Sequence, residues 1–179
     1  MAYLFKIGSK IPKLGRDVFL AETATVIGEV EIGDFSSVWY NAVLRGDLER
    51  IKVGRYTSIQ DNVVVHVDRG LPVEIGDYVI VGHSAVIHGC VIENNIMIGM
   101  NSCILNGAHI SERSIVAAGA VVTGKKYPPN SVLMGIPARV VREITDEEFE
   151  REVTERWKDY RELAKMHLKV EGFKDYKKL

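Results

Sequence analysis

Residues 92–122 read IENNIMIGMNSCILNGAHISERSIVAAGAVV, and an aliphatic side chain returns at every sixth position: Ile92, Ile98, Ile104, Ile110, Val116 and Val122. Traced backwards, the same spacing runs through Leu14, Leu20, Val26, Ile32, Val38 and Leu44, restarts at Val53, Ile59 and Val65, and restarts again at Ile75, Val81 and Ile87. Four residues beyond many of these aliphatics the side chain is small, as at Ala24, Ser36, Ala42, Thr57, Ala85, Ser102, Ala108, Ser114 and Ala120. Glycine often follows the aliphatic directly, at Gly15, Gly33, Gly54, Gly76, Gly82 and Gly99. A hexapeptide period of this kind predicts a parallel β-helix, in which short β-branched strands supply the inward residue and small or glycine positions turn the corners.

Three hexapeptides close one triangular coil, so the eighteen aliphatics sort into about six coils with three faces. Face one carries Leu14, Ile32, Val53, Ile75, Ile92 and Ile110; face two Leu20, Val38, Ile59, Val81, Ile98 and Val116; face three Val26, Leu44, Val65, Ile87, Ile104 and Val122. Every break in the period falls after face three, from Leu44 to Val53, Val65 to Ile75 and Ile87 to Ile92. One edge of the prism therefore collects the irregular loops, and in repeat proteins such an edge commonly carries function.

The polar residues can then be placed by register. Arg45, His66 and His88 directly follow face-three aliphatics on three successive coils, so they stack in one column at about 4.8 Å per coil. His83 lies two residues past face-two Val81, directly over Asp61, which lies two past Ile59. One side of the prism is roughly 17–20 Å of strand-like chain, whereas metal–imidazole bonds are about 2.0–2.1 Å. His83 is therefore out of reach of a metal held by His66 and His88 of its own chain. A neighbouring chain can supply it: a threefold homotrimer that packs the His83 edge of one prism against the His66/His88 edge of the next builds three identical sites. Three imidazoles with an open coordination position are the ligand set of a hydrolytic or hydrating zinc site. Fe²⁺ and Co²⁺ also suit imidazole. A lone histidine at a corner reads as a surface residue, but three sorted by register onto complementary edges read as ligands.

The segments AVLRGD (42–47), SIQDNVVVH (58–66) and VGHSAVIHG (81–89), with the exit MGIPARVVREIT (134–145) as weaker support, resemble the γ-class carbonic anhydrases and their bacterial and archaeal homologues, some named ferripyochelin-binding protein. The resemblance covers about residues 10–170. It implies a mainly β, left-handed parallel β-helix and a homotrimer that hydrates a small molecule, carbon dioxide, reversibly to bicarbonate. It further implies that His66 and His88 of one subunit and His83 of the next bind the metal, that Gln60 hydrogen-bonds the nucleophile or substrate, and that Arg45 pairs across the interface with Asp61. Asp47 falls on the family's loop aspartate. The chain departs from the best-known members in one region: the loop after His66 is short, VDRGLPVE (67–74), and Leu48 stands where such members have glutamate. The usual proton-exporting glutamates are absent, leaving Asp68, Glu49 or a buffer molecule as candidates.

At 179 residues with a formal net charge of −1, the chain suits one structural unit. Residues 1–143 read as the repeat domain and 144–179 as a C-terminal helix and tail belonging to the same unit. There is no basic run beyond Lys174, Lys177 and Lys178 near the end, which reads as a solvated terminus and recommends no nucleic-acid partner. The absence of a signal peptide or a span of eighteen apolar residues predicts a cytoplasmic protein without membrane contact. Cys90 and Cys103 lack metal or redox spacing and read as structural thiols. Thr145, with Glu148 three residues on, reads as a capping box. Phe149, Val153, Trp157, Tyr160, Ala164 and His167 then form the apolar stripe of an amphipathic helix of about six turns reaching Gly172 and lying along the prism, with His167 a helix-surface residue. Two other readings share this architecture: an acyl-CoA-dependent acyltransferase using an interfacial histidine as general base, and a non-catalytic metal-binding trimeric scaffold.

Overall fold

The computed structural model describes residues 2–169. Its strands form three parallel ladders whose inward residues are the predicted aliphatics. On face two the pairing runs from Leu20 through Val38, Ile59, Val81, Ile98 and Val116 to Leu133. Face one runs from Leu14 to Tyr127, and face three from Leu4 to Val122. The prism has about seven turns, one more than the aliphatic series predicts. The extra rungs are Leu4, Tyr127 and Leu133, and the new breaks, from Leu4 to Leu14 and Val122 to Tyr127, again follow face three. The inward residues of the middle coils are fully buried, but Leu14 is 41% exposed, because the first coil has no neighbour beneath it to close over its side chain.

Between inward residues the outward ones differ from face to face. On face one the residues preceding the inward positions are Lys13, Glu31, Lys52, Glu74, Val91, His109 and Lys126, mostly of alternating sign across paired strands. On face three the equivalent residues are Tyr3, Thr25, Val43, Val64, Val86, Cys103 and Val121. Face two is covered from within the chain: Phe19, Trp39 and Ala164 form a second buried cluster under the C-terminal helix, and Trp39 Nε1 donates to the hydroxyls of Ser37 and Ser58 at 2.9 and 3.0 Å.

The corners explain the small-residue pattern. The third residue after the inward aliphatic adopts the left-handed conformation at Asn41, Asn62, Ser84 and Asn101 on one edge, a region that asparagine tolerates better than most residues. On another edge the same position is bulky: Phe35, Tyr56 and Tyr78 all have positive φ and stack ring on ring at 4.9 and 5.3 Å.

The prism ends in an antiparallel hairpin, Ser131–Gly135 with Ala138–Glu143, and the chain turns into the helix through Thr145. Thr145 and Glu148 form a reciprocal capping box at Asp146–Phe149, after which a wider turn at Glu150–Thr154 leads into Glu155–His167. The helix runs back along the prism. Phe149 packs under Arg113, Trp157 meets Tyr56 and Tyr78, and Tyr160 meets Trp39 at 5.5 Å. His167 corrects the surface expectation. Its ring packs against Phe19 and Trp39, and its Nδ1 lies 3.0 Å from the Tyr40 hydroxyl, because the stripe it belongs to faces the prism along its whole length. The helix stops at His167, with Leu168 as its C-cap, short of the predicted Gly172; Gly172 itself and the lysines of the tail lie outside the described residues. Among the described residues no helix is long and apolar enough to cross a membrane.

Candidate metal centre

His66 and His88 end the strands Val64–His66 and Val86–His88 and are direct partners in the face-three ladder, with Arg45 the next rung. With both rings neutral, the hydrogen bonds of each ring fix which nitrogen carries the proton. A carboxylate can only accept, so His66 Nε2 donates to Asp47 Oδ1 at 3.0 Å and its Nδ1 is bare. Asn106 donates its amide to Asp68 Oδ2 at 3.1 Å, which turns its own carbonyl oxygen toward His88. That oxygen also only accepts, so His88 carries its proton on Nδ1 and its Nε2 is bare. The two bare nitrogens face one another at 3.0 Å.

Two lone pairs held this close repel unless a proton or a metal cation lies between them. Two nitrogens on one tetrahedral ion with bonds of 2.0–2.1 Å would sit about 3.3 Å apart, close to the observed separation. The donor chemistry therefore fits a divalent metal of the zinc type. Outer partners of the kind found here, a carboxylate on one ring and an amide oxygen on the other, are what orient metal-binding imidazoles.

The strand Val43–Val53, which supplies Asp47, is held closely in place. Gly46 packs so tightly that a Cβ there would lie 2.4 Å from the Glu29 carbonyl oxygen, so any side chain would push this strand off the preceding coil. Lys10, reaching over from the N-terminal turn, donates to the carbonyls of Asp47 and Leu48 at 2.8 and 3.0 Å. Burial pushes the Asp47 carboxyl up, but hydrogen bonds from His66 and Arg45 outweigh it and hold the group below the ordinary aspartate range. Asp47 thus stays an acceptor at neutral pH. The Glu49 carboxylate accepts the Gly70 N–H at 3.0 Å, pinning the short loop that follows His66.

His83 lies elsewhere. It follows the face-two strand Ile80–Val81, its Nδ1 is 2.9 Å from Asp61 Oδ2, and its backbone N–H donates to Gln60 Oε1 at 3.2 Å. Gln60 is buried. Within one chain the structure joins His66, His88, Arg45 and Asp47 in one group and His83, Gln60 and Asp61 in another. Among the described residues no three His, Cys, Asp or Glu side chains of a single chain are arranged to hold a metal ion. Around the two groups Val64, Met100 and Leu105 expose 40, 50 and 40% of their surface. Arg45 pairs with Asp47 in the chain, and Asp61 with His83.

Three residues near these groups are not in the sequence reading of the site. Lys10 comes from an irregular turn that no register reaches. Asn106 had a legible signal, since the matching position one coil earlier is Gly89, where a Cβ would meet the Asn106 side chain at 2.7 Å. Tyr160, whose hydroxyl is pushed up by burial and by the charge of Asp61, reads from sequence only as part of the helix stripe. Cys90 is free and buried, and burial raises its thiol to about 12, so it is an inert packing residue. Cys103 is also free.

Prism, ladder and corner pattern define a hexapeptide-repeat β-helix protein. A comparison with protein-family models finds no match. Individual relatives are clear. The chain is 44% identical over 171 residues to "Gamma carbonic anhydrase 2, mitochondrial" of Arabidopsis thaliana, covering 92% of this chain and 61% of that one. It is 50% identical over 137 residues to "Probable carbonic anhydrase" of Methanocaldococcus jannaschii, covering 76% of this chain and 86% of the relative. The chain belongs to the γ-class carbonic anhydrase family. Among solved structures, a hexapeptide transferase family protein from Anaplasma phagocytophilum superposes with a TM-score of 0.87 at 36% identity, covering 92% of this chain and 97% of that one.

Proposed function

We propose that this protein is a homotrimeric, metal-dependent carbonic anhydrase that hydrates carbon dioxide reversibly to bicarbonate, with His66 and His88 of one chain and His83 of the next as metal ligands. The observation that carries the reading is that His66 Nδ1 and His88 Nε2 oppose one another at 3.0 Å while the far nitrogen of each ring is held by an acceptor. Family membership supports the reaction. The apolar outer ladder of face three, with Val64, Met100 and Leu105 exposed beside the histidines, supports a neighbouring chain as the source of the third ligand.

Zn²⁺ is the favoured ion, with Fe²⁺ or Co²⁺ as alternatives; such an ion lowers the pKa of bound water toward about 7 and so supplies a nucleophile near neutral pH. The chain's own residues hold and orient. Asp47 fixes the His66 ring, and Asp61 fixes His83. Gln60 accepts the His83 N–H through Oε1, which leaves its Nε2 group, free of partners among the described residues, to donate to nucleophile or substrate. Arg45 and Asp61 would pair between chains, tying the two halves of the site together. A cytoplasmic location belongs to the same proposal.

A stopped-flow assay of fully metallated protein should detect carbon dioxide hydration whose rate rises with buffer concentration, because Leu48 and the short 67–74 loop lack the usual proton-exporting groups. Gln60→Ala should slow turnover by about 10²-fold while the metal stays bound, and His88→Ala should lose both. No hydration at any buffer concentration would overturn the reading. Acyl-CoA turnover in the same preparation would favour the second reading, an acyltransferase, which the resemblance to the Anaplasma transferase family protein keeps open. Metal uptake with neither activity would leave the trimeric scaffold.

A further inference from the structure

Asn106 and Asp68 lie outside every metal-ligand position, yet they complete a chain of hydrogen bonds whose direction is forced from its far end. Asp68 also accepts the Arg69 N–H through Oδ1 at 2.8 Å and closes the 68–71 turn, which fixes its carboxylate in place. Its Oδ2 can only accept, so the Asn106 NH₂ faces it. An asparagine amide with its NH₂ committed to one side presents its oxygen on the other, and that oxygen meets His88 Nδ1. Gly89 leaves the room for this arrangement: its φ is +51° and a Cβ on it would meet Asn106 Oδ1 at 2.7 Å. Without Asn106 the solvent side of His88 would face water, which donates as readily as it accepts, and the imidazole could carry its proton on either nitrogen.

We infer that Asn106, oriented by Asp68, is a positioning residue that sets the tautomer and angle of His88 so that its Nε2 lone pair is presented to the metal. The inference rests on the metal-site reading for its consequence, but the tautomer it assigns is a property of the metal-free chain. It also gives the short loop after His66 a task other than proton export, since Asp68 is held in the relay that locks His88.

The test has two parts. In metal-free full-length protein, long-range ¹H–¹⁵N correlation spectra should show His88 in the Nδ1–H form, and Asn106→Leu should move it to a mixture of tautomers. Competition with a chromogenic chelator for Zn²⁺ should show Asn106→Leu weakening binding by about 10–100-fold, the range expected when an outer partner of a metal-binding histidine is lost. Asn106→Asp places two carboxylates side by side and should bind poorly as well. The double variant Asn106→Asp/Asp68→Asn restores one acceptor toward His88 and one donor from position 68, and should recover most of the affinity. A merely structural role predicts that Asn106→Leu leaves the His88 tautomer as in the parent, and that result, or unchanged Zn²⁺ affinity in Asn106→Leu, would overturn the inference. If the parent shows the Nδ1–H tautomer but takes up no Zn²⁺, the metal-site reading fails while the assignment of Asn106 stands.

Discussion

Face one and face three of the prism share an inward ladder of aliphatic side chains and differ in almost everything that points outward. Along face one the outer residues are mostly charged, with Lys13, Glu31, Lys52 and Glu74 alternating in sign across paired strands, as suits a surface facing water. Along face three they are Tyr3, Thr25, Val43, Val64, Val86, Cys103 and Val121, and directly beside that ladder stand Arg45, His66 and His88. The inward pattern specifies the coil and says nothing about partners. The outward pattern separates the solvated side from the side that the proposed neighbour covers.

A charge placed on each face should break this symmetry most visibly. Val64→Glu should disrupt the trimer, because burying an unpaired carboxylate costs on the order of several kcal/mol per site, whereas Lys52→Glu on face one should leave assembly as it was. Sedimentation velocity of the two variants distinguishes them, and equal behaviour would mean that face three is not an interface. The inward residues should instead be equivalent. Ile87→Ala on face three and Ile75→Ala on face one, both buried, should each lose about 2–5 kcal/mol of stability in denaturant unfolding; a difference tracking the face would tie the core to assembly.

Most of the fold was legible because the β-helix repeats one constraint in every coil, so an error at one rung is corrected by its neighbours. The seventh turn escaped where the signal left the aliphatic alphabet: Tyr127 fills an inward position as an aromatic, and Leu4 lies ten residues before Leu14. The stacking of the proposed site residues on the ladder was legible for the same reason, since His66, His88 and Arg45 sit one residue after aliphatics already in register. Asp61 under His83 followed from that register too. Lys10 and Asp68 were not, because they lie in irregular segments that no periodicity passes through, and Asn106, though in register with Gly89, shows its hydrogen bonds to Asp68 and His88 only once that loop has folded over the edge. His167 was misjudged since a single imidazole at the end of an amphipathic stripe looks solvated until its aromatic neighbours Phe19, Trp39 and Tyr40 are brought in from coils more than a hundred residues earlier.

The smallest effect concerns face two, which the chain covers with its own helix. The Glu148 carboxyl is held down at about 2, from an ordinary 4.5, by the Arg142 guanidinium and then by the Thr145 main-chain N–H. A depressed value means that this cap stabilises fully above pH 4.5 and that its contribution drains away as the pH falls toward 2. Glu148→Gln should therefore loosen the first helical turn at neutral pH and flatten the acid limb between those values, measured by amide exchange in the helix. Exchange that stays unchanged would assign the helix anchorage to its aromatic contacts alone.

The sharing of one site between unlike edges is tested most directly by mixing. His83→Ala chains keep the His66/His88 pair, and His66→Ala chains keep His83, so neither homotrimer should hold metal well. In a ring of three, any mixed trimer regenerates one intact site of its three. After complete exchange of equal amounts, metal content measured by inductively coupled plasma spectrometry should rise to about a quarter of the parent level. A mixture that binds no more metal than the separate variants, once subunit exchange is confirmed, would contradict a centre built between chains.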